Sequence, residues 1–230
     1  MADAGLASEA RRVLITGATG QAGSGVVEAF LDAGWRVAGT TRRPPPSASE
    51  SVEWIQADLG DAAGARAAVD AAVASLGGLD ALVCLTGAGF DTTPIEELTW
   101  DDIVAQLSGG LRPTVEAVLA ALSPLRESAR GTIVTIGAQA AARPGARVAA
   151  WSVAKGGVLT FTLSLAAAGR PLGIRANCVL PGTLDTAANR EARPDAKKDT
   201  WVAPRQLGEL IVFLCSPSSA PLTGAAIPIG

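Results

Sequence analysis

The 230-residue sequence predicts a single α/β domain: a doubly wound, mostly parallel seven-stranded sheet flanked by helices. Three observations predict it. Short apolar runs alternate with helical patterns from end to end. A glycine-rich turn follows the first run and opens the first helix. No repeat or second compositional region divides residues 1–230.

The apolar runs of strand length are Val13–Thr16, Arg36–Thr40, Val52–Gln56, Ala81–Leu85, Thr132–Ile136, Arg175–Leu180 and Ala226–Ile229. Helical patterns lie between them at Ala22–Ala33, Ala62–Leu76, Thr99–Glu127, Trp151–Ala168 and Pro204–Cys215. In the third of these, Ile103, Leu107, Leu111, Val115, Val118 and Leu122 recur at helical spacing, as a core or dimer-packing stripe. Gly109, Gly110 and Pro113 interrupt that helix and should bend it. Pro44-Pro45-Pro46 and its Ser-rich sequel read as a surface connection between the second and third strands. The polar segment from Asp185 to Pro204 follows a strand's carboxyl end, where open α/β sheets bind ligands. Residues 183–204 are therefore expected to form a lid over a small-molecule substrate, a merely solvated loop being the other reading.

Composition narrows the function classes. A net charge of −3 gives no electrostatic reason to expect nucleic acid or an anionic membrane as a partner. No window approaches ~18 consecutive apolar residues, so no spanning helix is expected. The polar start before Arg11 and Arg12 has no signal-peptide core, and the chain is expected in the cytoplasm. Cys84, Cys178 and Cys215 fall in apolar runs without metal-ligand spacing and read as buried reduced thiols, with no metal site. Histidine and tyrosine are both absent, which removes the two commonest non-carboxylate proton donors.

The run from Val13 to Gly23 places Gly17, Gly20 and Gly23 between a strand and a helix. Glycine there lets the backbone turn tightly and approach a pyrophosphate, while N–H groups at the helix start meet its charge. The pattern predicts a Rossmann-type dinucleotide site, with Thr19, Gln21 and Ala22 in the same turn. At the end of the second strand an NAD site usually carries a carboxylate for the ribose 2′-hydroxyl. None occurs between Trp35 and Ser49; Thr41, Arg42 and Arg43 stand there instead. A guanidinium matches the 2′-phosphate of NADP, so NADP(H) is the expected cofactor, with NAD(H) the second choice. Asp58-Leu59 is placed to touch adenine.

With these residues in hand, the chain resembles the short-chain dehydrogenase/reductase family. The matching landmarks are the Thr16–Gly23 turn, Asp58-Leu59, Leu82–Gly87, Gly131–Gly137, Trp151–Lys155, and Pro181-Gly182 with Thr186. The resemblance implies that Lys155 binds the nicotinamide ribose, that Thr86, Gly87, Pro181, Gly182 and Thr186 lie along the cofactor, and that the long helices pack a homodimer or homotetramer. It also implies a catalytic tyrosine, serine and asparagine; Trp151, Ala138 and Gly110 stand at those positions. The stretch from Thr135, the run Leu180–Arg190, Asp199-Thr200-Trp201, Arg11–Leu14 and the Cys84 region are most similar to the dihydropteridine reductase branch, which also has alanine in place of the serine. The missing tyrosine and Arg42 depart from that branch.

An indole N–H can donate a hydrogen bond but is no acid near neutral pH. A ketone develops alkoxide charge during reduction, and losing one donor to it costs on the order of 2.7–4 kcal/mol. An iminium already carries its proton. The residues therefore point to NADPH-dependent reduction of an imine, iminium or quinonoid C=N group. Lys155 would position the ribose, Thr186 the carboxamide, and Trp151 would wall the substrate. Asp185 would balance iminium charge or cap the lid, and Gln139 is a further polar candidate. Two other classes stay open: a non-redox cyclase or isomerase, and an NADP(H)-binding pseudoenzyme acting through a partner.

Overall fold

Seven parallel strands form one sheet in a computed structural model that describes residues 10–44, 51–90 and 92–230. In chain order they are β1 (Arg12–Thr16), β2 (Arg36–Thr41), β3 (Val52–Gln56), β4 (Ala81–Cys84), β5 (Thr132–Ile136), β6 (Arg175–Pro181) and β7 (Ala226–Ile229). Their spatial order is β3-β2-β1-β4-β5-β6-β7, and every pairing is parallel. Each lies within one residue of its expected bounds. The expected proline connection falls on residues 45 and 46, outside the described ones.

The strands alternate between two apolar layers, as period-two side chains must. Val13, Ile15, Val37, Val83 and Val134 face α1 (Gly23–Asp32) and α8 (Pro204–Cys215). Leu14, Ala38, Leu82, Ile133 and Ala176 face α2 (Ala62–Leu76), α4 (Arg112–Glu127) and α6 (Ala149–Gly169). Between α2 and α4 lies α3 (Trp100–Gln106), whose Thr99 cap bonds reciprocally with Asp102.

The third expected helix is divided. Leu107–Leu111 forms a single π-helical turn between α3 and α4, so the Gly109-Gly110 pair widens the helix rather than merely bending it. The buried seam of α4 is Pro113, Thr114, Ala117, Val118, Ala120, Ala121 and Leu125. Of the expected stripe only Val118 belongs to it; Ile103, Leu107, Leu111, Val115 and Leu122 are half-buried at its margin. Small residues let α4 lie close to the sheet, and a reading weighted to large apolar side chains passes over them. The helix Ala149–Leu172 is long and apolar enough, by length and composition, to cross a membrane, where no spanning helix was expected. Its mean hydropathy is 1.2. Its face from Ser152 through Ala154, Lys155, Val158, Thr162, Leu165 and Ala166 is buried in the protein.

Arginines tie the opposite, amino end of the sheet. The Asp80 side chain is almost wholly buried and accepts from Arg12 Nε at 2.9 Å, Arg12 Nη2 at 3.1 Å and Arg130 Nε at 3.0 Å. Arg36 donates to the carbonyls of Ser75 and Leu76 at the end of α2, and Arg11 and Arg175 to those of Cys215 and Leu214 at the end of α8. Cations there satisfy orphan carbonyls and oppose the negative helix end. Burial works against the Asp80 charge, yet bonds from Arg12 and Arg130 hold its carboxyl below the usual carboxylate value. Its stabilising contribution is therefore complete above pH ~4 and is lost as pH falls through the depressed value. Asp80→Asn should cost about 3 kcal/mol in urea unfolding at neutral pH. The gap between variant and wild type should narrow in acid; a gap independent of pH would refute the ion-pair account.

Candidate functional site

The cleft opens at the carboxyl ends of the strands, over the point where the sheet order reverses between β1 and β4. It encloses about 1730 Å³ and is open to solvent on one side.

One wall is the turn after β1. Gly17 takes φ +66°, and an added Cβ would come within 3.0 Å of the Thr86 backbone. Its N–H donates to Thr40 Oγ1 at 3.0 Å, and Gly20 N–H to Gly17 O at 2.9 Å. Gly17, Thr19, Gly20, Gln21 and Ala22 all line the cleft. At the end of β2, Thr41 Oγ1 accepts from Thr19 Oγ1 at 3.1 Å and fixes the Arg43 backbone, and Arg42 and Arg43 stand exposed on the wall. Asp58 and Leu59 lie on the same side, Asp58 accepting from Gly60 N–H at 2.9 Å. Across the cleft, Thr86 and Gly87 follow β4, and Pro181 and Gly182 end β6. Thr86 Oγ1 is buried without a hydrogen-bond partner.

At the inner end stands Lys155, one turn along α6 from Trp151. Its side chain is nearly enclosed, and Nζ donates to Ile136 O at 2.9 Å. Burial pushes its pKa down to about 8. Trp151 meets Phe90 edge-on, with ring centroids 5.0 Å apart. Ala138 lines the cleft at the start of the short helix α5 (Gln139–Ala142). The Gln139 amide also lines it, but its nitrogen is engaged by the carbonyls of Ile229 and Gly230. Gly110 is buried in the π turn, so Ser108 and Gly109, not Gly110, form that part of the lining.

Three expected site residues are placed elsewhere. Gly23 lies beneath the wall, where an added Cβ would collide with the Ala18 carbonyl; its small size serves packing, not contact. Thr186 is buried off the cleft. It caps α7 (Ala187–Ala192), accepting from Asn189 N–H, and donates to Gln21 Oε1 at 2.7 Å. Asp185 also lies off the cleft, gripped by Arg190 through two hydrogen bonds of 2.5 and 2.6 Å. That guanidinium holds its carboxyl below the ordinary value.

Residues 183–204 carry the short helix α7 and an isolated bridge, with most side chains between 187 and 200 exposed. Leu184 bridges Val202, and Trp201 lies beneath the cations of Arg193 and Lys198. Thr183, Leu184, Asn189, Arg193 and Thr200 form that side of the cleft. Phe90, Ser108 and Arg193 were not singled out from the sequence. Phe90 and Arg193 lie in irregular or charged stretches where no period marks an inward face, and Ser108 stands beside the apolar stripe of the expected helix, not on it.

The short chain dehydrogenase family matches residues 11–197. The chain belongs to that oxidoreductase family. The "inactive 2-(S)-hydroxypropyl-CoM dehydrogenase 2" of Xanthobacter autotrophicus is 35% identical over 76% of this chain and 82% of its own. A solved short-chain dehydrogenase/reductase from Burkholderia thailandensis is 30% identical, with TM-score 0.85 over 96% of this chain and 92% of that one. The 3-ketoacyl-(acyl-carrier-protein) reductase of Brucella melitensis, complexed with NADH, shares the fold at 24% identity, with TM-score 0.84 over 95% and 96% of the two chains.

The bond between Thr186 and Gln21 links α7 to the glycine turn across the chain. Thr186→Val removes that donor and the helix cap together and should cost about 1 kcal/mol. Urea unfolding reads the loss, and limited proteolysis should cut faster within residues 187–200. An unchanged digest would show that the link does not hold the segment.

Proposed function

We propose that the protein is an NADPH-dependent reductase of a small molecule with an imine, iminium or quinonoid C=N bond, akin to dihydropteridine reductases. The observation that carries this reading is the inner end of the cleft, where a buried lysine stands beside an indole and an alanine and no phenol or imidazole exists to act as acid.

The residues fit the dinucleotide. Gly17 lets the glycine turn close onto Thr86, and Thr86 Oγ1 is a buried hydroxyl without a hydrogen-bond partner among the described residues. Bound there, NADPH supplies a hydride. Arg42 and Arg43 would hold the 2′-phosphate by charge-assisted bonds, and Lys155 would hold the nicotinamide ribose. Trp151 and Phe90 would close an apolar wall over a flat substrate and exclude water. A C=N nitrogen accepts a proton far more readily than a carbonyl oxygen, so this site needs no phenol to stabilise an alkoxide. The exposed Leu119 on α4 and Val153 and Leu163 on α6 suit packing of a homodimer or homotetramer.

A second reading, NADP(H) binding without turnover, is favoured by the same missing acid and by the 35% identical relative whose name calls it inactive.

A panel of cyclic imines and quinonoid dihydropterin, incubated with enzyme and NADPH, separates the two. Loss of reduced-nicotinamide absorbance that requires both substrate and enzyme is expected. No oxidation across the panel, with NADPH binding confirmed by fluorescence, would leave the binding reading. Arg42→Ala should weaken NADPH binding about tenfold or more, as loss of a charged hydrogen bond does, and barely alter NADH binding. Equal losses for both would argue against a 2′-phosphate contact.

A further inference from the structure

We infer that Lys155 is the proton donor of this site, and that the substrate enters as a neutral imine or quinonoid base rather than a preformed cation. The inference rests on the reductase reading above and specifies its substrate.

The argument begins with the charged side chains that line the cleft: Arg42, Arg43, Asp58, Lys155 and Arg193. The first three stand at the ends of β2 and β3, on the far side of β1 from Lys155. A guanidinium does not give up its proton, which removes Arg193. Trp151 has no acidic proton at neutral pH, and Ala138 has none at all. Lys155 is left.

Its surroundings suit that work. Ile136 O takes one of the three ammonium hydrogens, at 2.9 Å. The approach past Gly87 is bare, since a Cβ there would stand only 3.4 Å from Nζ. The titratable group facing the lysine is the Cys178 thiol of β6, which burial pushes up and keeps neutral; Ile136 and Gly87 present backbone. Among the described residues no carboxylate lines this end, and Asp185 is held by Arg190. Of the described side chains, a preformed iminium would therefore meet the cations Lys155 and Arg193 and no anion between them. A neutral base meets a donor instead. Burial brings the lysine to about 8, toward the range in which an ammonium hands its proton to an imine nitrogen.

The step balances. An N–H bond of the ammonium breaks, and the imine lone pair takes the proton. Hydride from the reduced nicotinamide dinucleotide bonds to the carbon, and the C=N π pair remains on nitrogen as its new lone pair. The products are the amine, the oxidised dinucleotide and neutral Lys155, which regains a proton from water at the open side of the cleft.

The test compares dihydroisoquinoline, which needs a proton, with its N-methyl iminium salt, which does not. Both are followed in single turnovers with NADPH across pH, and NADPH affinity is measured separately by fluorescence. In the wild type, imine reduction should fall about tenfold per pH unit above the lysine's value, while iminium reduction levels off. Lys155→Arg and Lys155→Met should slow the imine about 100-fold more than the iminium. If both substrates lose equally and share one pH profile, Lys155 acts only by holding the cofactor, and the inference fails. Reduction of the iminium alone would leave C=N reduction standing and sink the inference. Reduction of neither, with NADPH bound, would remove the reductase reading and this one with it.

Discussion

β1 pairs with β2 on one side and β4 on the other, and the chain reaches those neighbours by crossovers over opposite faces of the sheet. α1 lies on one layer and α2 on the other, so the loops after β1 and β4 part rather than pack. A cleft must open between them. The glycine turn, the end of β2 and the Thr86-Gly87 loop become its walls because they are the carboxyl ends of strands around that parting. Parallel pairing also buries both faces of the sheet, which is why the strands read as continuous apolar runs.

That architecture sets the chemistry available at the inner end. Lys155 is carried on α6, and among the described residues its hydrogen-bond partner is the backbone carbonyl of Ile136. A buried ammonium without a carboxylate is costly, and the cost appears as a lowered pKa. The same feature that weakens the fold at this point makes the group useful. By contrast, the buried carboxylate Asp80, at the amino ends of the strands, has two arginines and no access to the cleft. The buried carboxylate at one end of the sheet is paired with cations, whereas the buried ammonium at the other rests on a carbonyl.

Some residues that line the cleft were legible because their place depends on local backbone. Gly17 and Gly20 are read from a strand, a tight turn and a helix in direct succession, and Arg42 and Arg43 from their place at a strand's end. Thr186 and Asp185 were not. The resemblance placed Thr186 along the cofactor, and Asp185 was open to a ligand or a capping role; Thr186 reaches Gln21, 165 positions away, and Asp185 turns to Arg190. Short polar side chains next to a helix start compete for caps and ion pairs, and that competition is settled by what packs nearby.

The sequence by itself determined the strand order of events along the chain: which runs are strands, where the dinucleotide turn lies, and that no histidine or tyrosine can serve as acid. These follow from composition and from periods of a few residues. Tertiary structure alone decided that Phe90 meets Trp151, that Arg193 joins the rim, that Gly23 packs instead of lining, and that Lys155 stands buried with a single carbonyl. Those outcomes depend on contacts between segments far apart in the chain, whose geometry is fixed only when the two layers close on the sheet.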